Sequence, residues 1–136
     1  MKNMYVLFAL LIASILFIID LTMLPHSQLS IGVNKGFLNL NPLLMFQQQE
    51  SFYSFIINVG GNIFLFVPFS FFLSMIMKNV RMSKVVLIGC CFSVAIECIQ
   101  LFMPNRCTDI DDVLLNTMGA YVGYLLYLYW VRMNLK

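Results

Sequence analysis

Four long apolar stretches separated by short polar ones leave this chain few places to fold except a lipid bilayer. A helix needs about 20 predominantly apolar residues to cross the hydrocarbon core. The chain offers that length at about 4–24, 55–77, 85–103 and 112–131. The first stretch, Met4 to Leu24, is broken only by Ser14, Asp20 and Thr22 and is followed by Pro25. It outruns the apolar core of about 7–15 residues in a cleaved signal, and no small-residue cleavage site follows, so an uncleaved first helix is expected. Composition agrees: 61% of the 136 residues are hydrophobic and 10% charged, where soluble domains average about 25% charged. An aromatic content of 15% also excludes intrinsic disorder. The net charge of +2 includes no basic run, so nucleic acid is excluded as a partner.

The expected fold class is all-α: a polytopic membrane protein, a bundle of four transmembrane helices forming one domain over residues 1–136. Membrane lipids are its first partners. One long connection, His26 to Ser54, holds Leu43-Leu44-Met45-Phe46, which is too short to span, beside the polar run Gln47-Gln48-Gln49-Glu50. Residues at about 43–53 are therefore assigned to an interfacial or re-entrant segment. Positive charge sets the orientation. With the amino terminus in the cytoplasm, Lys2, Lys78, Arg81, Lys84, Arg132 and Lys136 lie inside and only Lys35 and Arg106 outside. Both termini are then cytoplasmic.

With that topology the polar residues of the spans gather at the outer end. Asp20 ends the first helix, Asn58 and Asn62 enter the second, Glu97 and Gln100 leave the third, and Asp112 and Asn116 open the fourth. Arg106, Asp109 and Asp111 in the last loop join them. Within each helix the spacing is three or four, which puts the residues of a pair on one face. Amides alone are accounted for by helix–helix hydrogen bonding, worth about 0.6 kcal/mol each in a bilayer. Gly119 and Gly123 are accounted for by close helix packing, and Pro68 by a kink. Carboxylates are not, because a charge at a helix centre costs roughly 2.5–3.5 kcal/mol on insertion scales. Glu97 is expected to face protein or water, with Arg106 as its counter-ion.

An outward-opening polar pocket follows, with Asn58, Asn62, Glu97, Gln100, Arg106, Asp109, Asp112 and Asn116 as ligand-binding candidates. Two ligand chemistries stay open: a phosphate or carboxylate on Arg106, or a divalent cation on the oxygens of Glu97, Asp109 and Asp112. The same three carboxylates are the catalytic candidates if the site is an enzyme. Cys90, Cys91, Cys98 and Cys107 contain no C-x-x-C pair and are read as structural. His26, the lone histidine, is read as a solvated loop residue. No G-x-S-x-G, H-E-x-x-H or P-loop pattern occurs, which removes the standard hydrolase, metalloprotease and nucleotide chemistries.

At these residues the chain resembles the VanZ-like family of small bacterial membrane proteins. Asn58, Asn62, Phe66 and Pro68 fit its N-x-x-x-N-x-x-x-F-x-P element, and Glu97 and Gln100 its E-x-x-Q. Arg106, Asp109, Asp112, Asn116 and Gly119 fit R-x-x-D-x-x-D-x-x-x-N-x-x-G, and Asn39-Leu40-Asn41-Pro42 fits N-L-x-P. The match runs over about residues 39–126. Ser70 stands where the family usually has glycine, and Leu43 where it often has phenylalanine. The resemblance implies a cell-envelope role, as the family's namesake confers resistance to the lipoglycopeptide teicoplanin. The expected function is an envelope protein whose pocket binds or shields a lipid head group, a lipid-linked cell-wall precursor or the antibiotic. An intramembrane enzyme acting on such a head group, possible with a divalent cation, is the alternative. A small four-helix transporter ranks below both, since the inner half of the spans holds almost no polar side chain beyond Ser74.

Overall fold

A computed structural model describes residues 2–23, 38–42, 52–77, 79–103 and 108–134. Four helices make up most of it: α1 (Lys2–Met23), α2 (Phe52–Met77), α3 (Met82–Gln100) and α4 (Ile110–Asn134). Between them lie two-residue strands, β1 (Leu38–Asn39) and β2 (Thr108–Asp109), which pair in parallel. The helices α2 and α3, and α1 over Met4–Met23, are long and apolar enough to cross a membrane. The fourth helix, α4, has 25 residues, about 37 Å at 1.5 Å per residue.

A helix stands at each of the four expected spans, with shifted ends. Helix α2 starts at Phe52 rather than near residue 55, so the first residues, Phe52 and Tyr53, are strongly exposed aromatics of the kind that settle at a membrane interface. Helix α3 stops at Gln100 rather than 103, because the last turn tightens: the Phe102 N–H donates to the Ile99 carbonyl at 3.1 Å and Met103 to Gln100 at 3.0 Å. Helix α4 starts at Ile110 rather than 112, with Asp111 and Asp112 in its first turn, where carboxylates favour the positive end of the helix dipole. For the expected interfacial or re-entrant segment at 43–53, residues 43–51 lie outside the described residues.

Helix α4 packs most extensively against α2 and next against α3, while α1 leans mainly on α2. The sequence at the α2–α4 contact explains its closeness. A Cβ at Gly119 would overlap the Ile63 carbonyl, and one at Gly123 the Val67 carbonyl and the Ser70 hydroxyl. The two backbones therefore touch along one helical stripe, as expected for a small-xxx-small pair. Ser70, in the place of the family's usual glycine, turns its hydroxyl back onto its own helix, donating to the carbonyls of Phe66 at 3.0 Å and Val67 at 3.2 Å. Two residues earlier, Pro68 removes the backbone donor that would have met the Phe64 carbonyl.

The core beside this seam is aromatic and aliphatic. Phe66, Phe69 and Phe92 have ring centroids 5.2–5.9 Å apart, and Phe66, Phe69, Ile18 and Ile96 are buried together. Away from the core the surface is apolar, with Phe64 75% and Leu87 62% exposed. In water such a surface would be an aggregation liability; in lipid it is the solvated face. Helices α2 and α3 turn at Asn79, whose φ of 53° is one that asparagine tolerates. The Tyr124 hydroxyl from α4 closes that end by donating to the Val80 carbonyl at 3.0 Å.

Candidate functional site

The polar residues occupy the opposite end, where α1 and α3 finish and α2 and α4 begin. The carboxylates and carboxamides of the apolar spans lie there, so packing the helices side by side gathers them. Glu97, in the last turn of α3, is only 6% exposed. Its Oε2 accepts the Asp109 backbone N–H at 3.0 Å, and its backbone carbonyl faces the Thr108 hydroxyl at 3.3 Å. Helix α3 thus grips β2 with both main chain and side chain. Glu97 also lies within electrostatic reach of Asp112 and Asp109.

Asp109 organises the loop side. Its Oδ1 accepts the Asp111 N–H at 2.9 Å, an Asx turn that starts α4, and the Asn39 side-chain N–H at 3.0 Å. Asn39 then accepts the Asn41 N–H on its own oxygen at 3.0 Å. On α4, the Asp112 Oδ1 accepts from the Asn62 amide of α2 at 2.7 Å. One turn deeper, the Asn116 amide donates to the Ser93 hydroxyl of α3 at 2.9 Å. At the edge nearest α1, the Gln100 amide donates to the Thr22 carbonyl at 2.8 Å.

Of the residues expected to form a pocket, the structure brings together Asn62, Glu97, Gln100, Asp109, Asp112 and Asn116 at one end of the bundle. Asn58 sits one turn before Asn62 on an exposed part of α2. Arg106, expected as the counter-ion of Glu97, lies outside the described residues, as do His26 and Cys107. The described cysteines, Cys90, Cys91 and Cys98, carry free thiols on α3. Two buried oxygens at this end have no hydrogen-bond partner among the described residues: Gln100 Oε1 and Asn116 Oδ1. For the cation alternative, no group of three or more His, Cys, Asp and Glu side chains among the described residues is arranged to hold a metal ion.

Sequence reasoning gave too little weight to four residues. In the sequence Asn39 marks only an N-L-x-P element, yet it is buried and clasps Asp109. Asp111, assigned to the loop, is 1% exposed. Thr108 and Ser93 are buried partners of the Glu97 and Asn116 network. For Ser93 the signal was present, as it stands four residues before Glu97 and so on the same face of α3. For Asn39, no helical periodicity reaches across a 70-residue separation.

Comparison with known proteins follows the same residues. The family description VanZ/LLP1 matches residues 5–132. Protein VanZ of Enterococcus faecium is 32% identical over 66 residues, a match covering 48% of this chain and 41% of that protein. No solved structure matches. With helices fit to span a membrane and a match over nearly its whole length, the chain is a membrane protein belonging to the VanZ/LLP1 family.

Proposed function

We propose that the protein sits in the bacterial cell membrane with both termini in the cytoplasm, and that the polar end of its bundle faces outward to bind a head group there. The ligand is a membrane lipid, a lipid-linked cell-wall precursor or a lipoglycopeptide, and binding or shielding it contributes to teicoplanin resistance. The observation that carries this reading is the burial of Glu97, Asp111, Gln100 and Asn116 at one end of an otherwise apolar bundle. Packing alone gives no reason to place carboxylates there, since burying a charge is expensive unless something pairs with it. The orientation follows from the excess of lysine and arginine at the other end, where Arg81, Lys84 and Arg132 flank α3 and α4.

The test is susceptibility. A teicoplanin-sensitive bacterium expressing the wild type should tolerate more antibiotic than one expressing Glu97→Gln or Asp112→Asn at equal membrane abundance. Equal protection by all three proteins would show that the polar end is not the working part.

One observation favours a second reading, that of an intramembrane enzyme. Glu97 is held by a backbone N–H with a second carboxylate, Asp112, within electrostatic reach, an arrangement suited to general acid–base work. Mass spectrometry of envelope lipids incubated with purified protein, with and without divalent metals, separates the two. A changed lipid that Glu97→Gln fails to produce supports the enzyme.

A further inference from the structure

We propose that the group bound at the polar end is a primary ammonium, presented by a lipid head group. This rests on the reading above and names the chemistry of its ligand.

The hydrogen-bond balance at the site is one-sided. Four described side-chain amides each donate one bond: Asn62 to Asp112, Asn39 to Asp109, Gln100 to Thr22 and Asn116 to Ser93. The N–H groups of Asp109 and Asp111 are engaged as well. What lacks a partner is acceptor oxygen. Gln100 Oε1 and Asn116 Oδ1 are buried and have no partner among the described residues, on side chains 7% and 2% exposed.

These oxygens belong to the same cluster as the carboxylates. Gln100 stands three residues after Glu97 on α3, and Asn116 four after Asp112 on α4, so each shares a face with a carboxylate. The Asn116–Ser93 bond lies one turn beneath Glu97 and Asp112, because Ser93 precedes Glu97 by four residues. The buried atoms left without a partner at the site are therefore acceptors.

That balance separates the candidate ligands. A phosphate or carboxylate would be repelled by the carboxylates of Glu97, Asp109 and Asp112, and the buried side-chain atoms left without any partner among the described residues are oxygens, not N–H groups. A divalent cation needs several oxygens converging at about 2.3–2.6 Å, whereas no three acidic, histidine or cysteine side chains among the described residues are so placed. An ammonium carries a single positive charge and three directional N–H donors. It suits acceptors spread over α3, α4 and the strand β2, and it forms charge-assisted bonds with carboxylates at about 2.7–2.9 Å. Asp109 and Asp112 are half-buried rather than sealed, which gives a head group access from the end of the bundle.

The experiment uses the full chain in nanodiscs of phosphatidylglycerol doped with either phosphatidylethanolamine or phosphatidylcholine. The two head groups differ in keeping or losing the N–H donors. Native mass spectrometry reads the lipid retained after ejection, and a parallel arm adds soluble ethylamine and follows thermal unfolding. The expected result is retention of phosphatidylethanolamine over phosphatidylcholine by about tenfold or more, the value of one charge-assisted hydrogen bond. Glu97→Gln and Asp112→Asn, each checked for the wild-type helical spectrum, should each abolish that preference.

Equal retention of both lipids overturns the proposal. Stabilisation by ethylamine with no lipid preference also overturns it, since the site would then take a free amine. A lipid preference that appears only in Arg106→Ala would mean that the chain's own guanidinium fills the place, and it counts against the proposal too. Loss of teicoplanin protection in Glu97→Gln alongside equal lipid retention leaves the binding site standing with a different ligand. If protection also survives the substitution, the site reading itself falls.

Discussion

Glycines separate by neighbourhood more sharply than by position in the sequence. Gly60 and Gly61 lie on α2 where an added Cβ would meet nothing within 4 Å, whereas Gly119 and Gly123 on α4 have the α2 backbone against them. Gly119→Ala and Gly123→Ala should therefore force α2 and α4 apart and destabilise the protein by about 1–3 kcal/mol, as overpacking does. Gly61→Ala should be neutral or stabilise by up to about 1 kcal/mol, since glycine in an open helix is the poorer helix former. Reversible unfolding in mixed micelles measures both, and equal effects at all these positions would refute the packing account. The spacing of Gly119 and Gly123 made their role legible in the sequence. Gly60 and Gly61, embedded in the Asn58–Asn62 element, showed no such contrast, because only the neighbouring helix reveals which glycine face is covered. Glu97 was legible for a similar reason: a carboxylate in an apolar run must be explained. Asn39 was not, because nothing local marks an asparagine in a loop as the partner of a carboxylate 70 residues on.

At the scale of elements, hydropathy located all four helices, and their ends moved by a few residues where capping outweighed it. Aspartates in the first turn drew α4 back to Ile110, and the closing turn cut α3 short at Gln100. The paired strands escaped notice because two residues carry no periodicity. Their register sets Leu38 opposite Thr108 and Asn39 opposite Asp109. Leu38→Cys together with Thr108→Cys should thus cross-link in membranes under mild oxidation, while Leu40→Cys with Thr108→Cys should cross-link far less, as read by the mobility of the denatured protein. Asn39→Ala, which removes the clasp on Asp109, should lower the cross-linking yield of the first pair. An unchanged yield would mean that the strand pairing holds without the side chain. Helix α1 is the least embedded helix, with only Ser14 and Ile18 buried along it among the described residues, and Gln100 pins its end through the Thr22 carbonyl. Gln100→Leu should loosen that end by about 0.6 kcal/mol, the usual strength of an interhelical hydrogen bond in a bilayer. Faster hydrogen exchange at residues 19–23 is the readout.

The whole molecule is polarised: lysine and arginine flank one end, carboxylates and amides crowd the other, and lipid-facing side chains lie between. In a protein with Cys90, Cys91 and Cys98 replaced by alanine, an impermeant maleimide should label Cys107 in intact cells. Labelling that requires permeabilised membranes would put the carboxylate end in the cytoplasm and remove the argument for an extracellular ligand. The β1–β2 clasp adds a consequence for biogenesis. One strand lies between α1 and α2 and the other between α3 and α4, so the ribosome must deliver α2 and α3 before the strands meet. Until then Asn62 in the second segment and Glu97 in the third wait in lipid without the aspartates that will pair with them. A nascent chain stalled before α4 would expose those groups to the membrane's quality-control proteases, so the same clasp that completes the site also marks the arrival of the aspartates that α2 and α3 await.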